Sequence, residues 1–548
     1  MLTSSIEFHH GVPTLFVNGA PQPSIAYITY LHERGRFADF AQAGYRLYSF
    51  AAFFGTEGIN VTSGISPFDR GMFDDPAHPD FSVFDERVQE ILSACPEAQI
   101  LPRVNVSLSR AWERAHPDEC CDTGYADTEP RACFASPLWR ETVADCLRAL
   151  IDHIEASNYA AHIIGYQLAA GNTEEWIPFD LAGGVGKRSR ERYLAAGGDL
   201  ADQPAFRKFL AHLNAETILT LARAVKEHTG RRLIVGCFYG YTFEVSSWIF
   251  AHGALHELLD SPDIDFLCSP VSYAERLTPG GDRSYMLPMH SAMLHGKMVF
   301  AELDIRTHLT RDLAQCRENA VRPGTYTGGV WNGFAEPELT VGLLRACFAR
   351  RLAFGYGSWW FDMWGGWYAD PAMMAEMRDF AHLAERVLDW PDRSSLAETA
   401  LFIDEAYFAY ADDQNRAMSV NGPIRRDLAR SGVLCDVYLA SDYDRAMALG
   451  RYKAVILALP ADTVRMEQLA ARNPDALALR GESSPEELRE FCRRRGVHIW
   501  CESGDVVYAN RYFAALYASG AGEKRIALPD GRSIAFSCGA YECRYFSL

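Results

Sequence analysis

Over residues 1–390, short apolar runs of strand character alternate with amphipathic runs of helical period, and the alternation repeats eight times. Strand-like runs cover 24–30, 45–53, 99–106, 161–168, 232–239, 264–268, 298–301 and 357–361. The helix-like runs between and after them cover 37–43, 84–94, 137–156, 206–228, 252–259, 291–295, 338–352 and 372–387. Apolar strands without inside/outside alternation suit a parallel sheet buried on both faces. Eight β/α units fit a (β/α)8 TIM barrel better than a doubly wound sheet. The longest loops follow strands 2, 3, 4, 6 and 7, as expected where loops build a site at one rim. One of them, about 177–205, reads as an insertion with turns at Gly183-Gly184 and Gly197-Gly198. Before the first strand, Asn18-Gly19 is a hairpin signal.

Residues 389–395 read as a linker, after which the pattern restarts on a smaller scale. Strands are expected at 399–403, 435–439, 453–457 and 497–500, with helices at 423–431 and 485–494. This is a flavodoxin-like α/β domain over 396–505. It lacks a glycine-rich phosphate loop, so a structural or oligomerising role is expected and no nucleotide or other cofactor. Residues 506–548, with an Asp530-Gly531 turn between 524–528 and 533–536, read as a small β-rich segment.

Length and composition admit several domains of an ordinary globular protein, at 548 residues with 48% hydrophobic and 23% charged. The net charge of −18 argues against binding nucleic acid or an anionic membrane through a basic face, and a neutral substrate is easier to accommodate. No apolar run is long enough for a membrane span, and Met1–His10 lacks the basic and apolar regions of a signal peptide. The 14 scattered cysteines then read as reduced thiols in a cytoplasm. Cys120, Cys121 and Cys133 share one loop and are candidate zinc ligands. They form no C-x-x-C and no fourth ligand is apparent, so no metal is expected.

Chemistry-bearing residues gather where strands end. The seventh strand runs Met298-Val299-Phe300-Ala301 straight into Glu302, followed by Asp304 and Arg306. The fourth runs into Asn172-Thr173-Glu174-Glu175-Trp176. Strand 4 and strand 7 end across a barrel mouth from one another. Carboxyl groups there can flank one glycosidic bond, one protonating the departing oxygen and one attacking C1 or activating water. Glu302 is the candidate nucleophile. Glu174 and Glu175 compete as acid/base, with Glu175 favoured because it abuts Trp176, an apolar neighbour able to raise its pKa by desolvation. Arg103 and Asn105 end strand 3, Tyr239 and Tyr241 strand 5, and Tyr273 strand 6. Strand 8 carries Trp359, Trp360, Asp362, Trp364 and Trp367. At least one of these tryptophans is expected as the floor of a sugar subsite, with Trp360 and Trp364 the candidates, while Asp362 would bind a hydroxyl. Trp112 and Trp331 are candidate walls.

An acid after strand 4, a glutamate after strand 7 and a trailing flavodoxin-like domain together resemble the family 42 β-galactosidases of glycoside hydrolase clan A, or a close relative. Leu101-Pro102-Arg103-Val104 with Trp112 after it, and Arg131-Ala132-Cys133-Phe134-Ala135-Ser136-Pro137, add local matches. The resemblance implies an oligosaccharide or glycoside substrate, retention of configuration through a covalent ester on Glu302, a tyrosine such as Tyr273 bonded to the nucleophile, and a homotrimer. In that clan an asparagine directly precedes the acid/base. Here Thr173 separates Asn172 from Glu174, so either the loop is remodelled with Asn172 still reaching a sugar hydroxyl, or the acid is misassigned. The expected activity is a retaining exo-β-glycosidase of β-galactosidase type. A β-mannosidase on the same scaffold, or a catalytically silent glycan-binding barrel, is the alternative. A lyase or aldolase would need a strand-end lysine or a metal cluster, and Lys297 lies on the wrong rim.

Overall fold

Hydrophobic strands without alternation are buried on both faces, and this is how the first part of the chain is arranged in the computed structural model. The structure describes residues 2–57, 64–123, 129–179, 185–245, 247–276, 278–328, 331–410 and 414–548. Eight parallel staves form a barrel. They are β1 (Ile25–Ile28), β2 (Leu47–Tyr48 and Ala51–Phe53), β3 (Gln99–Ile100 and Arg103–Asn105), β4 (Gly165–Ala169), β5 (Ile234–Phe238), β6 (Phe266–Pro270), β7 (Met298–Leu303) and β8 (Gly357–Phe361). Staves β2 and β3 are each broken in two. The sheet begins on the upper halves of both, and ends on their lower halves after passing β4 to β8 and β1, so the ring closes. The bridge between Ile100 and Ile163 completes the seam from β3 to β4.

Helices Ser82–Ala94, Pro137–Ala156, Gln203–His228, Pro337–Phe354 and Pro371–Arg386 pack outside the staves. Ser136 and Asp370 cap two of them with side-chain oxygens, and proline at the first turn starts four. The hairpin Ser4–His9 and Val12–Val17 turns at the N-terminal end of the barrel. There the Ser4 hydroxyl bonds the Ile164 carbonyl, and Val12 fills the space left by Gly355. Within the insertion the chain forms a helix, Lys187–Ala195, closed by a turn at Gly197-Gly198, whereas Gly183-Gly184 lies outside the described residues.

Beyond the barrel a four-stranded parallel sheet of flavodoxin-like order joins β9 (Thr399–Ile403), β10 (Cys435–Leu439), β11 (Ala454–Ala458) and β12 (Leu477–Leu479), with β9 between β10 and β11. The strand expected at 497–500 does not form. Those residues leave the helix Pro485–Arg494 through a turn and cross to the last segment, where the Trp500 carbonyl accepts the Ala527 N–H. The fourth strand is instead Leu477–Leu479, a short, partly exposed edge with too few apolar residues to stand out by pattern. The final segment is antiparallel, with Val506–Ala509, Phe513–Tyr517 and Cys543–Ser547 in one sheet and the hairpin Gly522–Ala527 with Ser533–Cys538. Among the described residues no helix is long and apolar enough to cross a membrane.

Candidate active site

A cavity of about 390 Å³ opens at the C-terminal end of the staves, lined from β1, β3, β5, β7 and β8 and from the loops after β4 and β6. Glu302 reaches it from inside β7, in register with Pro270 of β6 and Trp359 of β8. The chain therefore does not leave the core at Ala301, since the strand continues to Leu303 and presents the carboxylate on its inner face. Arg103 Nη2 donates to Glu302 Oε2 at 2.7 Å, and Trp359 Nε1 donates to the same oxygen at 3.1 Å. Among the described residues no protein donor meets Oε1. Burial raises the Glu302 carboxyl, Arg103 opposes the rise, and the charges of Asp304 and Glu175 add to it.

The loop after β4 is strained. Thr173, Glu174 and Trp176 all have positive φ, at 55°, 68° and 56°, in a region that costs non-glycine residues on the order of 1–2 kcal/mol each. Gly171 makes the tight entry possible, because a Cβ there would meet the Ile177 carbonyl oxygen at 2.1 Å. The contortion sends two neighbouring glutamates in different directions. Glu174 is 0% exposed and turns beneath the cavity, taking the Tyr30 hydroxyl at 2.6 Å and Arg103 Nη1 at 3.3 Å. Glu175 lines the cavity. Tyr241 donates its hydroxyl to Glu175 Oε1 at 2.8 Å, and the Thr173 hydroxyl bonds Oε2. Burial pushes the Glu175 carboxyl up to about 7, against those two hydroxyl bonds.

Trp176 is not the desolvating neighbour that the order of residues suggests. Its indole N–H bonds the Leu168 carbonyl at 2.9 Å and its ring meets Phe134 edge-on, away from the cavity. Asn172 does not line the cavity either, since its side-chain amide donates to the Pro178 carbonyl and holds the loop shut. Asn105 sits beside Glu174 and accepts the Ser107 N–H. Tyr239 donates its hydroxyl to the Ala251 carbonyl at 2.7 Å, a brace within the β5 loop. Trp112 stacks on His116 at 4.5 Å, outside the cavity lining.

On β8 the pleat separates the tryptophans. Trp359 faces Glu302. Trp360 faces outward, donating to the Tyr45 hydroxyl at 2.7 Å and stacking on Phe380, so it forms no sugar floor. Asp362 is fully buried as a turn anchor that accepts the Tyr27 hydroxyl and the backbone N–H groups of Gly366 and Trp367. Trp331, Trp364 and Tyr273 do line the cavity. Tyr273 lies under the Arg276 guanidinium, 4.4 Å from its ring centre, and makes no hydrogen bond to Glu302. That carboxylate's donors are Arg103 and Trp359.

Tyr30 and Arg276 complete the site without having been singled out from the sequence, and Trp359, Asp304 and Arg306, noted there at strand ends, had no individual role assigned. Asp304 and Arg306 follow Glu302 at intervals of two, the spacing of one strand face, and that was the available signal. Tyr30 and Arg276 come from loops whose course has no period. The three loop cysteines diverge: the Cys120 thiol bonds the Glu113 and His116 carbonyls, Cys121 that of Arg131, and Cys133 meets the Ser189 hydroxyl. Burial pushes the Cys120 thiol up to about 12. Among the described residues no group of three metal-ligating side chains converges.

No family model and no curated protein sequence matches the chain. Solved structures do match its fold. A β-galactosidase from the psychrophilic Marinomonas ef1 is 10% identical, with 96% of this chain and 100% of that one aligned and a TM-score of 0.64. A β-galactosidase from Bacillus circulans sp. alkalophilus is 10% identical over 95% and 98%, TM-score 0.58. An exo-carrageenase of family GH42 from Bacteroides ovatus is 11% identical over 100% and 85%, TM-score 0.54. What this chain shares with these three enzymes is therefore the fold, nearly end to end, at an identity that leaves the chemistry to be argued from its own residues.

Proposed function

We propose that this chain is a retaining exo-β-glycosidase of β-galactosidase type. One observation carries the reading: a cavity at the C-terminal rim of the barrel is faced by a carboxylate from β7, one oxygen of which no described residue engages, and by a second carboxyl from the loop after β4 that is held by two hydroxyls. Glu302 is the nucleophile. The positive charge of Arg103 favours its ionised form, and Oε1 attacks C1 as the C1–O bond breaks. Glu175 is the acid/base. Its burial keeps it protonated to about pH 7, so it gives its proton to the departing oxygen and then accepts one from the water that cleaves the glycosyl ester. Glu174, beneath the cavity, acts through Arg103 as a positioning residue. Trp331 and Trp364 supply the aromatic surface on which a sugar ring stacks. The fold shared with β-galactosidases and an exo-carrageenase supports the same class of reaction.

A panel of nitrophenyl β-glycosides tests the reading. The wild-type chain is expected to turn over at least one of them. Glu302→Gln should bring that turnover to background, and Glu175→Gln should lower kcat about 10²–10⁴-fold. Activity that survives Glu302→Gln removes that residue from the chemistry. Binding of sugars without turnover on any glycoside, galactoside and mannoside included, favours a silent glycan-binding barrel.

A further inference from the structure

Beyond Glu302, the same stretch of chain adds Asp304 and Arg306 to the cavity wall, and the loop after β6 adds Arg276. Both oxygens of Asp304 are taken: Arg276 bonds Oδ2 and Arg306 bonds Oδ1. Burial would raise the Asp304 carboxyl, but the two guanidinium groups overcome it and hold it ionised. Among the described residues two cations thus lie against one anion, a formal charge of +1 for these three side chains, all of them at least 97% buried. A buried charge without a counter-charge is costly, and guanidinium is the group suited to planar oxyanions.

The other carboxylates of the cavity do not supply the missing charge. Glu302 and Glu174 both lie against Arg103, which is already outnumbered. Glu175 bonds two hydroxyls and has to be protonated to act as the acid. Arg306 makes one side-chain hydrogen bond among the described residues, to Asp304. Its guanidinium lies against Trp367, 4.9 Å from the ring centre, and near Trp331 at 5.6 Å, which fixes its plane without satisfying its other N–H groups. Burial lowers its pKa despite Asp304, as expected of a cation short of negative partners.

We propose that Arg306 and Arg276 form an anion subsite, and that the glycoside this cavity takes carries an oxyanion substituent, a carboxylate or a sulfate ester. This rests on the glycosidase reading and names its substrate class. The overall charge of −18 does not oppose it, because the field a substrate meets in a cavity is that of the wall groups and not of the distant surface. Outside the cavity an open groove of about 500 Å³ carries Arg34, Arg36 and Arg311 with one carboxylate, Glu33, which is paired with Arg317. Arg34 donates to the Trp364 and Gly365 carbonyls, so that it borders the same mouth without a carboxylate partner among the described residues.

The test uses the full chain and matched pairs of nitrophenyl β-glycosides: galactoside with galacturonide, galactoside with its 6-sulfate, and glucoside with glucuronide. Binding is measured by calorimetry on Glu302→Gln, and turnover on the wild type. In at least one pair the anionic member should bind tenfold tighter or more, and Arg306→Gln, added to Glu302→Gln, should bring that ratio towards one. Preference confined to uronides assigns a carboxylate, and preference confined to the 6-sulfate assigns a sulfate ester. If Arg306→Gln does not fold, inorganic sulfate takes its place as the probe: it should displace the bound glycoside from Glu302→Gln competitively, and failure to do so overturns the proposal. Anionic members bound no better than neutral ones in every pair also overturn it, and neutral turnover would then leave the glycosidase reading standing. Anionic preference in binding with no glycoside cleaved keeps the subsite and removes the glycosidase reading.

Discussion

Tyr241 and Thr173 give Glu175 two hydroxyl donors, whereas Arg103, shared with Glu174, and Trp359 give Glu302 a guanidinium and an indole N–H. The contacts of Glu302 favour a charged carboxylate more than those of Glu175 do, which is the bias a nucleophile and an acid need, although burial raises both carboxyls. The sign of the pH dependence follows. On the proposed roles, activity should be lost on the acid side as Glu302, itself pushed up to about 7 by burial, takes a proton, and on the alkaline side as Glu175 gives its proton up near pH 7, so the profile should be a narrow bell centred near neutrality. Tyr241 bonds the charged form of Glu175 and so lowers its pKa. Tyr241→Phe removes that bond and should move the alkaline limb of the kcat/KM profile upward. A hydrogen bond worth about 0.5–1.5 kcal/mol corresponds to roughly 0.4–1 pH unit. A limb that stays or moves down would show that Glu175 does not set it.

The eighth stave shows how the pleat of one element sorts its residues. Trp359 and Phe361 line up on the inner face with Arg103, while Trp360 between them packs against the outer helices. Trp359→Phe should lower kcat about tenfold or more, because a hydrogen bond to a charged group contributes about 1.5–3 kcal/mol. Trp360→Phe should lower the melting temperature, through loss of packing and of the bond to Tyr45, and leave KM unchanged. Kinetics and thermal melting of the two variants, side by side, distinguish the faces. The same pleat explains what the sequence revealed and what it did not. Local periodicity marked the helix Pro137–Ala156 and the strands Gly357–Phe361, Thr399–Ile403 and Cys435–Leu439 to the residue, because each pattern is written in its own side chains. Locating Trp360, Asp362, Tyr239 and Asn172 by strand end alone, without asking which face each occupies, put them in a cavity they do not line. The separation of Glu174 from Glu175 depends on three left-handed residues in a row of four, and no hydrophobic period encodes such a course.

The parts of the chain beyond the barrel bear on the cavity through the loops after β5 and β6. Glu244, at the end of the β5 loop, accepts the Ser272 hydroxyl and the N–H groups of Tyr273 and Ala274, and so holds the segment that carries Tyr273 and Arg276. Arg425, from the helix Gln414–Arg430 of the flavodoxin-like part, donates to Glu244 at 2.9 Å and to the carbonyls of Phe243 and Tyr285. From the last segment, Tyr508 donates to Asp282 at 2.8 Å and accepts the Arg283 N–H, while Arg283 donates to the Arg276 carbonyl. The loop that carries Arg276 is thus braced from two sides by residues 140 and 226 positions away from the ones they hold. Arg425→Ala leaves the partly buried Glu244 without its cation but with its three other donors, so the loss should be smaller than the cost of breaking a fully buried pair, about 3–5 kcal/mol. The strain should appear locally before it appears globally. Amide exchange at 272–276 should accelerate at least tenfold under conditions where the barrel staves stay protected, and kcat/KM on the preferred glycoside should fall by a similar factor. Exchange at 272–276 that matches the wild type, with unchanged kinetics, would mean that the barrel holds its own rim and that the appended parts serve assembly alone.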